Sequence, residues 1–244
     1  MNRIRQDRIK EYIEEKNVVS IKELQELFPD VSLMTIHRDL DVLEATGSVV
    51  KFRGGARSVR YAGDPEFNVR MRDNNSGKLL IARKAMELIQ PHSSIFLDAS
   101  TTNLTLARTL PDINLNIFTT GPSIALELCK LHNPVVTLCC GTINRKNLAL
   151  SGQNTLEMLD KINIDMAFIG VSGCSVDAGF TCGTEGDMLV KRMVIQKART
   201  SVVMCTQEKL RCLMPYTFAT MKDVDYLISD SPMPEPFQRA AKEY

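Results

Sequence analysis

Three hydroxyl side chains stand directly behind a short apolar run in the second half of the sequence. Ser100, Thr101 and Thr102 follow "SIFLD", which reads as a strand, and precede "NLTLARTL", which reads as a helix. Backbone amides at the start of a helix, together with hydroxyl groups, suit an anion and above all a phosphate. Ser and Thr also cap helices without binding any ligand, so this loop alone leaves both interpretations open.

Residues of similar chemistry recur behind three other apolar runs. Thr120 and Gly121 follow "LNIFT", Gly141 and Arg145 follow "TLCC", and Lys209 follows "SVVMC". The carboxyl ends of parallel strands meet at one edge of a sheet, and ligands bind beyond those ends. Hydroxyls, glycines and cations collected at one edge therefore predict a shared site for a phosphorylated small molecule.

Alternating helical and strand-like segments over residues 78–244 would position this site. Apolar runs such as "SIFLD" and "SVVMCT" are separated by amphipathic segments such as "KLLIARKAMELI" and "EGDMLVKRMVIQKA". Alternation of this kind predicts a parallel sheet with helices on both faces. We therefore expect an α/β protein with a Rossmann-like C-terminal domain.

Residues 1–60 show a different pattern, in which three short helices precede a hairpin. Ser20 and Glu23 predict a capping box at the start of the second helix, and Ser32 is the expected N-cap of the third. The pair Gly54-Gly55 predicts a tight turn between two short strands. This order of elements predicts a winged helix-turn-helix.

Such a domain would bind double-stranded DNA through its third helix and its wing. The third helix enters the major groove by its N-terminal residues, and the hairpin lies along phosphates. The expected base-edge or phosphate donors are Ser32, Thr35, His37 and Arg38, and the expected phosphate-neutralising residues are Lys51, Arg53 and Arg57. A small helical domain that binds another protein is the alternative that the pattern leaves open.

The bulk composition excludes several other classes of protein. The chain has 244 residues and a formal net charge of +1, so attraction to DNA must come from local placement of charge. The N-terminus is too polar for a signal peptide, and no apolar run approaches the ~20 residues of a membrane helix. The seven cysteines show neither C-x-x-C nor Cys/His ligand spacing. We expect a cytoplasmic protein without a metal or another cofactor.

The stretch "VSLMTIHRDLDVLEATG" resembles the helix-turn-helix of the DeoR family, which typically reads V-S-x-M-T-I-R-R-D-L with L-E-x-x-G. The wing sequence "RGGA" is similar to the H-G-G-A of that family. His37 stands where the family usually has arginine. This departure exchanges a long bidentate donor for a shorter one, which bears on the operator sequence rather than on DNA binding itself.

The C-terminal half resembles the sensor domain of the same family. The motifs "IFLDASTTNLTLA" and "FTTGPSIALEL" carry this resemblance, and that sensor is similar to ribose-phosphate isomerases and glucosamine-phosphate deaminases. The resemblance implies a phosphorylated sugar or a related metabolite as the effector. The contact residues that it implies are Asp98, Thr101, Thr102, Thr120, Gly141, Glu185, Lys191 and Lys209. Ser100 replaces a usual glycine, and Thr206 stands at an aspartate position.

Residues 61–77 are expected to link the two domains. Phe67, Arg70 and Lys78 match the F-x-x-R…K spacing of the family at this place. One interpretation is a simple tether. The other is a docking segment that carries the state of the sensor to the DNA-binding domain, and both interpretations remain open.

Three functional hypotheses follow from these patterns. The leading one is a transcriptional regulator of carbohydrate metabolism genes, a repressor whose operator binding is controlled by a phosphorylated sugar. Because helix-turn-helix proteins usually read paired half-sites, a homodimer or tetramer is expected. The rival is a phosphosugar isomerase or deaminase with an accessory DNA-binding domain, in which Asp98, Glu185 or Asp187 would be the general base. The third is a DNA-binding protein with a vestigial sensor.

Overall fold

The chain divides into two compact units with different architectures. The computed structural model describes residues 2–16, 18–52, 54–58, 66–210 and 212–240. The first unit comprises Met1–Gly63 with Arg211–Leu213, and the second comprises Asp64–Leu210 with Met214–Tyr244. The first unit combines helices with a small antiparallel sheet, whereas the second is built on a parallel sheet.

Three helices and three short strands form the described part of the first unit. In chain order they are α1 Asn2–Lys16, β1 Val18–Ser20, α2 Ile21–Leu27, α3 Leu33–Ala45, β2 Val49–Phe52 and β3 Gly55–Ser58. Strand β3 lies between β1 and β2 and is antiparallel to both. The predicted helix-turn-helix with a hairpin wing is therefore confirmed. Strand β1, which completes the small sheet, was not predicted.

Local signals place the helix ends of the first unit. The Ser20 hydroxyl accepts a hydrogen bond from the Glu23 amide at 3.2 Å, and the Glu23 carboxylate accepts one from the Ser20 amide at 2.7 Å. The Ser32 hydroxyl accepts from the Thr35 amide at 3.3 Å at the start of α3. Gly47 follows α3 with a φ of +68°, the left-handed conformation that favours glycine. Each contact joins residues close in sequence, so sequence patterns suffice to predict it.

Apolar residues from the three helices and the sheet enclose the core of the first unit. Its buried members are Ile9, Ile13, Val19, Leu24, Ile36, Leu40, Leu43, Val49 and Ala56. Asp39 of α3 is buried beside them and accepts hydrogen bonds from Arg5 and Gln6 of α1. This contact fixes which face of α3 turns inward, and the opposite face remains exposed.

The second unit contains helices on both sides of its strands. The helices are α4 Phe67–Arg72, α5 Asn75–Met86, α6 Thr101–Thr109, α7 Pro122–Leu128, α8 Gln153–Asp160, α9 Glu185–Lys197 and α10 Glu235–Ala240. The strands are β4 Ser94–Leu97, β5 Asn116–Thr119, β6 Val135–Leu138, β7 Thr142–Ile143, β8 Leu150–Ser151, β9 Ile164–Gly170, β10 Gly173–Ser175, β11 Gly179–Cys182, β12 Ala198–Cys205, β13 Tyr216–Ala219 and β14 Tyr226–Ser229.

Six of these strands form one parallel sheet in the order β14-β12-β9-β4-β5-β6. Ile95 and Leu97 of β4 pack in the same cluster as residues of α5, α6 and α7. Phe96, which lies between them, packs in a second cluster with residues of α8 and α9. Because successive side chains of a strand point to opposite faces, helices cover both faces of the sheet. The predicted α/β, Rossmann-like fold is confirmed.

Two smaller sheets were not predicted from the sequence. Strands β10, β11 and β13 form an antiparallel sheet, and β7 pairs with β8 as a short hairpin. These strands have two to four residues each, too few for a periodic pattern. The pairing of β11 with β13 also joins segments that are far apart in the chain, so no local signal marks it.

The segment predicted as a linker, 61–77, contains helix α4 and the first turn of α5. The side chain of Phe67 is buried in the core of the second unit. Its amide donates a hydrogen bond to the carbonyl of Lys146 at 2.9 Å. Residues 59–65 lie outside the described residues. At least from Phe67 onwards, the segment is folded onto the second unit.

Candidate functional site

Asp98 lies at the carboxyl end of β4 and organises this edge of the parallel sheet. Its Oδ1 accepts hydrogen bonds from the Ser100 amide at 3.0 Å and from Nδ2 of Asn103 at 2.7 Å. Its Oδ2 accepts from the Gly170 amide at 2.9 Å and from Nζ of Lys191. A carboxylate has about four acceptor sites, and protein donors occupy all of them here. Asp98 therefore positions the surrounding groups rather than offering an oxygen to a ligand.

Lys191 of α9 is held by three acceptors. Its Nζ contacts the Asp98 carboxylate, donates to the Gly170 carbonyl at 3.0 Å and lies 3.5 Å from the Asp187 carboxylate. Burial by itself lowers the pKa of Lys191, but the carboxylates of Asp187 and Asp98 outweigh it and raise this pKa above its ordinary value. Burial likewise opposes the charge on Asp98, but Lys191 and the hydrogen-bond donors lower the pKa of that carboxyl. Both groups are charged at neutral pH.

A small polar cleft opens beside this ion pair. Two of the residues predicted for the effector line it, Ser100 and Lys191. Four further polar residues that the sequence analysis did not assign to the effector also line it, namely Arg70, Asn147, Ser172 and Asp187. Cationic, anionic and amide groups thus converge on one small space, which suits a ligand that carries both charge and hydroxyl groups.

Ser100, Thr101 and Thr102 occupy the turn from β4 into α6, where the sequence predicted them. The Ser100 hydroxyl accepts a hydrogen bond from the Asn103 amide at 3.2 Å, so Ser100 is the N-cap of α6. Thr101 and Thr102 are the first residues of α6, and both side chains are buried. Among the described residues, Ser100 reaches the cleft and the two threonines are not part of its lining.

The predicted loop residues Thr120, Gly121 and Gly141 have conformational or packing roles in the structure. Thr120 is buried at the end of β5. A Cβ atom added at Gly121 would lie 3.0 Å from Cα of Ala99, so glycine allows the two loops to pack closely. Gly141 has a φ of +139°, and a Cβ there would lie 2.1 Å from Oγ1 of Thr155. Backbone geometry accounts for both glycines without a ligand.

The remaining predicted effector residues lie away from the lining of this cleft. Arg145 and Glu185 are exposed, and Lys209 is half-buried in the short turn that follows β12. Within the described part of the chain, none of the three lines the cleft. The structure therefore brings Asp98, Ser100 and Lys191 together, whereas Arg145, Glu185 and Lys209 stay predictions.

Helix α3 presents the predicted DNA-contacting residues on its outer face. Arg38 is exposed, and Thr35 and His37 are half-buried. The Ser32 hydroxyl caps the helix and lies 2.9 Å from the Thr35 hydroxyl. Ser32 thus has a structural role at the helix terminus, while the side chain of Arg38 extends into solvent from the face that would meet DNA.

Two exposed apolar residues lie beside the predicted DNA-contacting residues of α3. Leu33 and Met34 occupy the first turn of the helix, and Met34 is 64% exposed. Apolar side chains at this position can contact the methyl group of thymine in the major groove. The signal was present in the sequence, because both residues fall outside the buried face formed by Ile36, Leu40 and Leu43.

The three cations predicted for the wing differ in their surroundings. The ammonium of Lys51 pairs with the exposed carboxylate of Asp41. Arg57 is only 8% exposed, and its guanidinium donates to Sγ of Cys212 at 3.1 Å within the first unit. This differs from the predicted phosphate contact of Arg57, because β3 is the central strand of its sheet and its residues are enclosed. Arg53 lies outside the described residues.

Both halves of the chain match models of known protein families. Residues 5–61 match the DeoR-like helix-turn-helix domain, and residues 73–231 match the DeoR C-terminal sensor domain. The chain therefore belongs to the DeoR family of DNA-binding, helix-turn-helix transcriptional regulators. None of the helices in the described ranges has the length and apolar composition that crossing a membrane requires.

Relatives with curated names are similar to this chain over most of their length. The uncharacterized HTH-type transcriptional regulator YgbI of Escherichia coli (strain K12) is 35% identical over 95% of this chain and 91% of its own. The HTH-type transcriptional repressor GlcR of Bacillus subtilis (strain 168) is 29% identical over 91% and 86%. The L-fucose operon activator of Escherichia coli (strain K12) is 29% identical over 82% and 84%.

Proposed function

We propose that this protein represses genes of carbohydrate metabolism and that a phosphorylated sugar, or a related metabolite, releases it from operator DNA. It acts in the cytoplasm as a homodimer or homotetramer, because a helix-turn-helix protein that reads two half-sites needs two DNA-binding domains. The helix-turn-helix domain implies the DNA partner, and the sensor domain implies a small-molecule effector.

The observation that carries the effector assignment is the polar cleft at the carboxyl ends of the parallel strands. Ligands of open α/β sheets bind in this position. Arg70 and Ser100 offer donors to an anionic group, while Asp187 and Asn147 can accept hydrogen bonds from sugar hydroxyls. This combination supports a phosphorylated polyhydroxy compound over an apolar ligand.

On the DNA side, we assign base-edge contacts to the exposed face of α3. Thr35, His37 and Arg38 supply donors there, and Met34 supplies an apolar contact. Lys51 and Arg53 of the wing are assigned to phosphates. Each neutralised phosphate contributes about −0.9 to the slope of log affinity against log salt, so operator binding weakens steeply as salt rises.

Repression relieved by the effector is the direction that we assign. A relative named as a repressor supports this choice. Another relative is named as an activator, so the sign of the effector's action has to be measured directly. In either case the effector must bind one DNA-affinity state of the oligomer more tightly than the other.

The geometry around Asp98 argues against the enzymatic alternative. A general base needs a carboxylate oxygen that faces the substrate, but both oxygens of Asp98 already accept hydrogen bonds from protein donors. Glu185 is exposed and does not line the cleft. Asp187 lines the cleft, and its carboxylate lies 3.5 Å from Nζ of Lys191, so it would be the base to mutate if turnover were found.

The decisive experiment combines ligand binding, turnover and DNA affinity on the purified full-length chain. Sugar phosphates that raise the melting temperature without being converted support a sensor, whereas conversion supports an isomerase or deaminase. A flat response across the whole panel supports a vestigial sensor. Fluorescence anisotropy with an operator selected from random DNA then gives the sign of the effector's action, and an effector that increases DNA affinity would contradict release from the operator.

A further inference from the structure

Helix α4 is attached to the second unit at both ends. Phe67 inserts into the apolar core, and its amide donates to the Lys146 carbonyl at 2.9 Å. At the other end, Nζ of Lys78 donates to the carbonyls of Arg70 and Asp73. The helix is thus held near the carboxyl edge of the sheet by side-chain and backbone contacts within the second unit that do not involve a ligand.

Arg70 of α4 lines the cleft together with Ser100, Asn147 and Asp187. Its guanidinium lies 5.9 Å from the centre of the Phe67 ring, which helps to orient it. A guanidinium has five donors in a planar fork, so it can hold a protein acceptor and two oxygens of an oxyanion at the same time.

The other cation of the cleft lining is less suited to an incoming anion. Nζ of Lys191 donates to Asp98 and to the Gly170 carbonyl and lies 3.5 Å from the Asp187 carboxylate, so three acceptors surround its three N–H groups. Binding a phosphate through Lys191 would therefore require the loss of a buried contact. Arg70 lines the same cleft with five N–H donors in place of three, and this difference in donor number favours Arg70 as the residue that receives the anionic group.

The position of α4 in the chain suits a contact between Arg70 and the effector to a role in regulation. Strand β3, the last described strand of the DNA-binding unit, ends at Ser58, and α4 begins at Phe67. Helix α4 is therefore the first described element of the sensor unit that follows the DNA-binding unit in the chain. Any change in how firmly α4 is held acts directly on the segment that joins the two units.

We propose that Arg70 binds the anionic group of the effector and that this contact fixes α4, so that occupancy of the cleft is transmitted to the connection with the DNA-binding unit. The proposal rests on the proposed sensing function and adds the residue and the element through which it works. The docking interpretation of the segment that contains Phe67, Arg70 and Lys78 follows from it, in place of a simple tether.

The test uses the full-length chain and four probes, namely ribose 5-phosphate, glucose 6-phosphate, fructose 6-phosphate and glycerol 3-phosphate. Calorimetry gives the Kd of the probe that stabilises the wild type most. We expect Arg70→Gln to weaken this Kd about tenfold to a hundredfold, the range of hydrogen bonds to charged groups. Arg72→Gln, an exposed cation on the same helix outside the cleft lining, is the control and should stay within about twofold of the wild type.

Hydrogen exchange of residues 66–73 measures the second half of the proposal. The probe should slow exchange of these amides in the wild type and in Arg72→Gln, but not in Arg70→Gln. A Kd that Arg70→Gln leaves unchanged overturns the role of Arg70 while leaving the sensing function intact. Tight binding without slower exchange in the wild type overturns the coupling through α4, and a wild type that binds none of the four probes counts against both proposals.

A second variant protects the test against a folding defect. Arg70→Lys keeps the positive charge but lacks the planar fork, so binding should fall between the wild type and Arg70→Gln. If Arg70→Gln does not fold, Arg70→Lys decides: a Kd weakened about threefold or more supports the contact, and an unchanged Kd overturns it. A purely structural role for Arg70 predicts faster exchange of residues 66–73 without ligand and no change in Kd.

Discussion

Nζ of Lys191 contacts Oδ2 of Asp98 directly behind the cleft, and the two side chains are only 6% and 1% exposed. Gly170 joins the pair from both sides, because its amide donates to Asp98 and its carbonyl accepts from Lys191. Removing one charge of the pair leaves the other charge buried and uncompensated. The resulting loss of folding stability is larger than the net stabilisation that the intact pair contributes. This ion pair therefore fixes the relative positions of β4, β9 and α9 that form the walls of the cleft.

We predict that Asp98→Asn lowers the free energy of unfolding of the second unit by about 3 kcal/mol, the usual effect of breaking a buried ion pair. Urea denaturation followed by circular dichroism measures it. Asp160→Asn is the matched control, since Asp160 forms an exposed pair with Lys197 and its loss should produce no measurable change. Equal effects of the two substitutions would show that Asp98 is not a structural anchor.

Lys78 should make stability depend on pH in the alkaline range. Burial lowers the pKa of Lys78 from 10.5 to about 8. Between these values the unfolded chain holds a proton that the folded chain has released, so stability rises as the pH increases from about 8 to about 10.5. The stability of the wild type minus that of Lys78→Met should therefore increase over this interval in urea titrations.

The difference in unfolding free energy between the wild type and Lys78→Met isolates the contribution of Lys78. Burial also raises the pKa of the Cys139 thiol to about 11, and this group acts in the opposite direction above its ordinary value of 9.0. Because the wild type and Lys78→Met share Cys139, the subtraction removes its contribution. Parallel stability curves for the two proteins would rule out a depressed pKa for Lys78.

Arg38→Ala should weaken operator binding by about tenfold or more without a change in the melting temperature. The side chain is exposed on α3, so its removal deletes a DNA contact and leaves the core intact. Fluorescence anisotropy on a selected operator measures the affinity. Arg8→Ala, which removes an exposed cation of α1, is the control for loss of charge alone. If both substitutions weaken binding equally, the exposed face of α3 is not the reading surface.

Gly141→Ala should lower the stability of the second unit by about 1–3 kcal/mol, the range for backbone strain in a sparsely populated conformation. Gly141 has a φ of +139°, and a Cβ there would clash with Thr155. Gly152→Ala separates backbone strain from steric clash, because Gly152 has a φ of +117° but no atom within 4 Å of its Cβ position. The loss of stability caused by Gly152→Ala should be smaller than that caused by Gly141→Ala. Unchanged stability with weaker effector binding would instead make Gly141 a ligand contact.

The helix caps, the hairpin and the alternation of strands and helices were all predictable from the sequence, because they depend on residues a few positions apart. Ser20 and Ser32 accept the amides expected of N-caps, and the four apolar runs quoted from the sequence each contribute a strand to the parallel sheet. The two small antiparallel sheets were missed, since short strands without a period leave no local signal. The buried position of Arg57 was missed because β1 was not anticipated as a second neighbour of β3.

The composition of the cleft could be predicted only in part. Ser100 was found because residues at the carboxyl ends of parallel strands share one edge, and Lys191 was found because the resemblance to the DeoR sensor domain implied it. Arg70 and Asn147 line the same cleft from α4 and from the connection between β7 and β8, which no sheet rule places there. Asp98 was predicted as a ligand contact, but four donors from three separate segments make it an anchor.

The amino-acid sequence by itself determined the two kinds of domain, the parallel arrangement of the main sheet and the membership in the DeoR family. Each of these is encoded in local patterns of apolar residues, helix caps and motifs. The tertiary structure alone decided which polar groups face the cleft and which hold the protein together. That choice depends on hydrogen bonds and packing between segments dozens of residues apart, as between Asp98 and Lys191, and such contacts form only when the sheet and its helices are assembled.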